Sequence, residues 1–318
     1  MGKIVSVTCT SHTPALMMTA ERWVDHQEQI LATRPGSLPP DLQAAADAET
    51  REQTAQHHAN CMSNIAEISR HVAAAKPDIV VMFGDDQKEN FLPSTMPPFT
   101  IFTGEATFGF PFRLYAAFFN EPPGDRIEIP AAGKAANCLV SELAEEGFDV
   151  AFATELPDAK WGLSHSMVRI VHLFGIEAPV LPVFVNALYE PAATPRRCYQ
   201  LGQAIKSAIE RCTPESTRIA VIGSGGLSHI TQGERAGAVD IPHDTWVMES
   251  VKSGQGRKLA DLTVADLHTS GDEELREWLP AVAMIEGIQP DYTDLVESWG
   301  LVAGHGFAAW DLYANQAA

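Results

Sequence analysis

At 318 residues, with 45% hydrophobic and 20% charged side chains, the chain has ample apolar material for a core. Lys and Arg total 22 against 41 Asp and Glu, a net charge of −19, which argues against a nucleic acid or an anionic membrane surface as partner. No run approaches the ~18 apolar residues of a membrane span. The 5 cysteines show no CxxC pair, which speaks against a disulfide framework or a thiolate zinc site and for a reducing cytoplasm.

In chain order, Met1–Val7 enters a strand pattern directly, without the apolar region of a leader. The first strand, Ile4–Thr8, closes in Cys9-Thr10-Ser11-His12-Thr13-Pro14, a polar turn carrying an imidazole. Pro35–Pro40 reads as a loop and Asp41 as the cap of a helix over Asp41–Ala75. A second strand, Ile79–Phe83, runs into Gly84-Asp85-Asp86-Gln87, and a third covers Phe99–Phe102. Between two Pro-rich turns lie Phe108, Phe110, Phe112, Tyr115, Phe118 and Phe119, a pocket wall or lid on one reading, core packing or a subunit contact on another. A helix over Ala131–Glu146 and a strand over Val150–Thr154 precede Trp161-Gly162-Leu163-Ser164-His165, which opens a helix to Phe174. The strand Val180–Val185, the helix Pro195–Arg211 and the strand Ile219–Ile222 follow. That last strand stops at Gly223-Ser224-Gly225-Gly226-Leu227-Ser228-His229. Helical patterns then cover Thr245–Lys252, Val264–Leu267, Glu273–Glu286 and Thr293–Trp299. Strands alternating with longer helices predict an α/β fold: an open, largely parallel or mixed sheet, helices on both faces, a helical C-terminal part, and a single domain over 1–318.

In such a sheet, ligands bind at the carboxyl ends of the strands. His12, His165 and His229 each follow a strand, and Asp85, Asp86 and Gln87 belong to the same edge. In the late acidic helix, Glu273 and Glu277 read as a solvated face, while Glu274 shares the side of Leu275 and Trp278. A partly buried carboxylate near imidazoles is ion-paired or a metal ligand, and histidine with carboxylate and open coordination positions suits ferrous iron in oxygen chemistry or another divalent metal. On the long helix, His58, Cys61, Ile65 and Ile68 share one face, so His58 points inward and His57 outward. His58 lies roughly 25 Å back from Ala75, and the strand from Ile79 to the Asp85 turn covers about 20 Å, so both reach the ligand edge.

The order Ser-His-Thr-Pro, Pro-Asp-Ile-Val-Val-Met-Phe-Gly-Asp-Asp, Gly-Leu-Ser-His, Pro-Val-Leu-Pro-Val-Phe-Val-Asn, Gly-Ser-Gly-Gly-Leu-Ser-His and Glu-Leu-Arg-Glu-Trp resembles the class III extradiol ring-cleavage dioxygenases. The resemblance runs from about residue 4 to 284. It implies a non-haem Fe(II) enzyme that splits a catechol-like ring with O2, commonly as a homo-oligomer. It implies His12 and Glu274 as iron ligands, His165 and His229 as acid/base histidines, and Asp86, Gln87 and Ser228 beside the substrate. One position departs: relatives carry a ligating histidine where this chain has Gln87. Three outcomes stay open: Gln87 ligates, another residue such as His58 supplies the second imidazole, or the metal is another ion or absent. A hydrolase or lyase on the same fold, with or without metal, is the alternative function, and a non-catalytic partner subunit a third.

Overall fold

A computed structural model describes residues 1–33, 38–113, 118–230 and 233–313, side chains of 29–33 excepted. The expected loop at Pro35, Gly36 and Ser37 and the aromatic Tyr115 lie outside the described residues. Among the described residues, ten strands, β1 (Lys3–Thr10), β2 (Ile79–Gly84), β3 (Phe99–Phe102), β4 (Ala106–Gly109), β5 (Ile127–Pro130), β6 (Ala151–Ala153), β7 (Val180–Val185), β8 (Arg218–Ser224), β9 (Tyr292–Ser298) and β10 (Ala303–Asp311), make two sheets. The main one has 8 strands in the order β6-β3-β7-β2-β8-β1-β10-β9, and β4 and β5 pair separately. Its centre, β7-β2-β8-β1, is parallel; β10 is antiparallel to both β1 and β9, and β3 to β7. The sheet is therefore mixed, as expected.

Among the described residues, nine helices cover it: α1 (Ala20–Thr33), α2 (Pro40–Ala48), α3 (Arg51–Ala74), α4 (Gly133–Glu145), α5 (His165–Phe174), α6 (Pro195–Arg211), α7 (Ile241–Lys252), α8 (Val264–Ser270) and α9 (Leu275–Met284). Alternate residues of β2 feed opposite layers. Val81 and Phe83 pack with α4, α6 and α9 residues such as Leu139, Ile205 and Trp278, whereas Val80 and Met82 pack with Ile65 and Ile68 of α3 and Met167 of α5. Burial on both faces is why these strands are continuous apolar runs rather than alternating ones.

The structure corrects four expectations. The helix expected over Asp41–Ala75 is two, because Thr50 caps α3 in a reciprocal box with Gln53. Asp41 is not a cap: it sits in the first turn of α2, whose cap position is Pro39. The helical C-terminal part holds from α7 to α9, but the segment expected as a helix at Thr293–Trp299 is strand β9, hairpinned with β10. Finally, the scattered cysteines include one bridge, Cys138–Cys212, joining α4 to the end of α6, while Cys9, Cys61 and Cys198 are free and buried. Among the described residues, no helix is long and apolar enough to cross a membrane.

Candidate active site

Three neighbouring parallel strands, β1, β8 and β2, end at one edge, and the turns after them supply His12, His229 and Asp85. Helix N-termini supply the rest. His165 is the first residue of α5, and Glu274 occupies the cap position of α9, where a carboxylate also meets the positive end of the helix dipole. The glycines after β8 make that approach possible: a Cβ on Gly225 would stand 2.5 Å from the Glu274 carbonyl oxygen. The indole Nε1 of Trp278, one turn on, donates to the Thr10 carbonyl at 3.3 Å and pins α9 against β1.

The side chains converge closely. His12 Nε2 lies 3.5 Å from Glu274 Oε2 and 4.0 Å from Asp85 Oδ1. His165 Nε2 is 3.7 Å from the same Asp85 oxygen, and His229 Nε2 is 3.4 Å from Glu274 Oε1. His12, Asp85 and Glu274 are at most 3% exposed. Donor accounting fixes the imidazoles. Ser224 Oγ donates to the Ser166 carbonyl at 2.6 Å, so at His12 Nδ1, 3.2 Å away, it accepts, and His12 Nε2 keeps its lone pair. His165 Nδ1 likewise donates to Glu89 Oε2 at 3.0 Å, leaving Nε2 bare; Glu89 also takes the His165 backbone N–H and the Arg113 guanidinium.

Electrostatics follow burial. Desolvation lowers His12 to about 3 and pushes His165 well below its usual range. Burial opposes the charge on His229 too, but the Glu274 carboxylate outweighs it and raises His229 to about 10. Asp85 is driven well above the carboxylate range by burial and by Glu274.

His12, His165, His229 and Glu274 thus come together as expected from the sequence. Others do not. His58 is inward, at 9% exposure, but its Nε2 donates to the Ala15 carbonyl at 3.0 Å, and it is not among the donors that gather. The oxygens of Asp86 are consumed by the backbone N–H groups of Glu89, Asn90 and Phe91, so Asp86 shapes the loop rather than facing a ligand. Ser228, fully buried, donates to Asp244 Oδ2 at 2.7 Å and accepts from the Asp240 N–H, so it has nothing left to offer a substrate. Gln87 does reach the site, with Nε2 3.2 Å from Glu274 Oε1. Glu277 is no solvated residue: it is 0% exposed, and burial, then Asp85 and Glu274, hold its carboxyl well above normal. Of the aromatic segment, Phe110 packs on Trp161, Phe112 on His172, and Phe118 and Phe119 on His26.

Asp85 is the member that sequence reasoning left without a role. Its ligand-edge position was readable; that it, not Asp86, turns inward was not. Both its oxygens are buried without a hydrogen-bond partner, and with His12 and His165 it forms a group whose donor atoms lie within 4.8 Å of one another. A carboxylate facing two imidazole lone pairs repels them unless a proton or a cation lies between; burial favours the proton on Asp85, and the donor set equally fits a divalent ion. Beside the site, a cleft of about 780 Å³ is lined by Lys88, Met96, Asn186, Tyr189, Glu273 and Arg276.

Over 233 residues the chain is 28% identical to a 2,3-dihydroxyphenylpropionate/2,3-dihydroxicinnamic acid 1,2-dioxygenase of Cupriavidus pinatubonensis, covering 68% of this chain and 67% of that protein. A protein of the same name from Paraburkholderia phymatum is 28% identical over 251 residues, 70% of this chain and 73% of that one. The match to the gallate dioxygenase of Pseudomonas putida is 37% over 103 residues, 31% and 30% of the two chains. With some other relatives the matched stretch spans about half of their length. A family model, catalytic LigB subunit of aromatic ring-opening dioxygenase, matches residues 39–300, and the chain belongs to that family.

Proposed function

We propose that the protein is an extradiol dioxygenase, a single catalytic domain that opens the ring of a catechol-like aromatic, dihydroxy or aminohydroxy, with O2 at a divalent ion, Fe(II), held by His12 and Glu274. The observation that carries this reading is the gathering of His12, His165, His229 and Glu274 at one sheet edge around the unpartnered oxygens of Asp85. The ion, when bound, supplies Lewis acidity toward adjacent substrate oxygens and a redox centre for O2. The chain supplies proton transfer and orientation. His165, locked by Glu89 with Nε2 free, and His229, with Nε2 on Glu274, stand on two sides; one takes the phenolic proton and the other returns a proton to the developing oxygen anion. The neighbouring cleft is within the usual 300–1,000 Å³ of small-molecule sites and is the approach for the ring. The names of the relatives, which act on hydroxylated aromatic acids, point the same way.

The test is oxygen uptake. Anaerobic protein loaded with Fe(II) is mixed with catechols, gallates and aminophenols, and O2 is admitted. Uptake of one O2 per ring opened is expected with at least one compound. No uptake across the panel refutes the proposal, and turnover without uptake would establish a hydrolase or lyase instead.

A further inference from the structure

We infer that Asp85 is a protein ligand of the metal and fills the coordination place left open by Gln87, so that the ion is held by one imidazole and two carboxylates: His12, Asp85 and Glu274. This rests on the preceding reading, that His12 and Glu274 hold a divalent ion.

Asp85 follows β2 directly, at 1% exposure, and neither carboxylate oxygen has a hydrogen-bond partner. Leaving such a group unmatched costs more than any neighbour here returns. An ion would take the place of the proton that burial otherwise holds on Asp85: His12 and His165 present bare lone pairs to it, and Glu274 and Glu277 add buried carboxyl groups. Arg169, whose charge interacts with Asp85, gives its hydrogen bond to the His12 carbonyl instead.

Distance fits as well. Two donors each about 2.1 Å from one ion stand about 3.0 to 4.2 Å apart, according to the angle between them. The His12 Nε2 separations, 3.5 Å to Glu274 Oε2 and 4.0 Å to Asp85 Oδ1, lie within that span; the donors already within 4.8 Å of one another are those of His12, Asp85 and His165, so an ion would have to draw Glu274 toward Asp85. Gln87 is the competitor, but its side chain is exposed and its amide nitrogen is turned to Glu274. Two carboxylates also neutralise a divalent ion fully, where two imidazoles and one carboxylate leave a positive charge. That donor set moves the site toward oxygen-preferring ions such as Mn(II).

The experiment is titration of full-length, chelator-treated protein with Mn(II), followed by calorimetry and by the electron paramagnetic resonance of free Mn(II), with elemental analysis after desalting. Asp85→Asn should weaken Mn(II) binding by at least ~100-fold, beyond the 10–100-fold typical of losing an outer-shell partner. Gln87→Ala, which removes only a hydrogen bond to Glu274, should weaken binding less than Asp85→Asn does. The double variant Asp85→Asn/Gln87→His should recover binding, which excludes misfolding as the cause of the first loss. If Asp85→Asn retains wild-type affinity, Asp85 is not a ligand, although the metal reading survives. If the wild-type protein binds no Mn(II) or Fe(II), both fall together.

Discussion

Replacing Gly225 by Ala tests how the late helix is brought to the early strand. The added Cβ would stand 2.5 Å from the Glu274 carbonyl oxygen, and ordinary contact begins at 3.4 Å, so the α9 N-terminus must retreat by about 0.9 Å. The obstructing atom is backbone, so no rotamer change relieves it. Gly225 is not among the residues at positive φ, so its need for glycine is one of space. Overpacking of this kind costs about 1–3 kcal/mol of stability, a melting shift of a few degrees. A misplacement of about 1 Å at a reacting centre costs on the order of 100-fold in rate, about 2.7 kcal/mol of transition-state stabilisation. The expected outcome is therefore a folded protein whose kcat/KM for ring opening falls about 100-fold, with weaker metal retention. Gly223→Ala is the graded comparison: its Cβ would lie 3.0 Å from the Glu277 carbonyl oxygen, and the loss should stay below about tenfold. Steady-state oxygen uptake and calorimetric melting read both effects. Wild-type kcat/KM in Gly225→Ala, or a rate loss equal in the two variants, refutes the reasoning.

His58→Ala should leave metal content unchanged by elemental analysis while lowering stability by about 1–3 kcal/mol, since it strands the buried Ala15 carbonyl. Burial and Asp272 raise Asp244 to about 8, above its unfolded value of 3.8. Its folded-state proton is then the stabilising one: the contribution is full below pH 3.8 and is lost as pH rises through about 8. Urea denaturation at pH 5, 6.5 and 8 should show that decline in wild type and a flatter one in Asp244→Asn; parallel slopes would count against it. Chelation should lower the melting temperature, because the buried carboxylates lose their counter-charge, and Fe(II) at 100 times its Kd should restore about 2.7 kcal/mol. An unchanged melting temperature would mean that no ion is bound.

What the sequence made legible follows from burial. Val180–Val185, enclosed on both sides, was readable end to end because every residue is apolar or proline. β9, an edge strand with only Val296 and Ser298 buried, has so weak an alternation that it passed for a helix. β10 was missed because its pattern is broken by Gly304 and Gly306, which exist to admit Asp244 and Trp278. The break before α3 was visible, since Thr50 and Gln53 have capping-box spacing. The histidines were legible because each follows an apolar strand. The choice between adjacent Asp85 and Asp86 was not, because it depends on which way a turn directs two consecutive side chains. No local pattern could pair Cys138 with Cys212 across 74 residues.

His12 comes from the turn after the first strand and Glu274 from the cap of the last helix before the closing hairpin, so the two proposed ligands enter the fold at opposite ends of synthesis. A nascent chain halted before α9 carries His12 and Asp85 without Glu274, and closing so long a loop is a late event. On the proposed reading, the full ligand set is complete only once α9 has packed against β1.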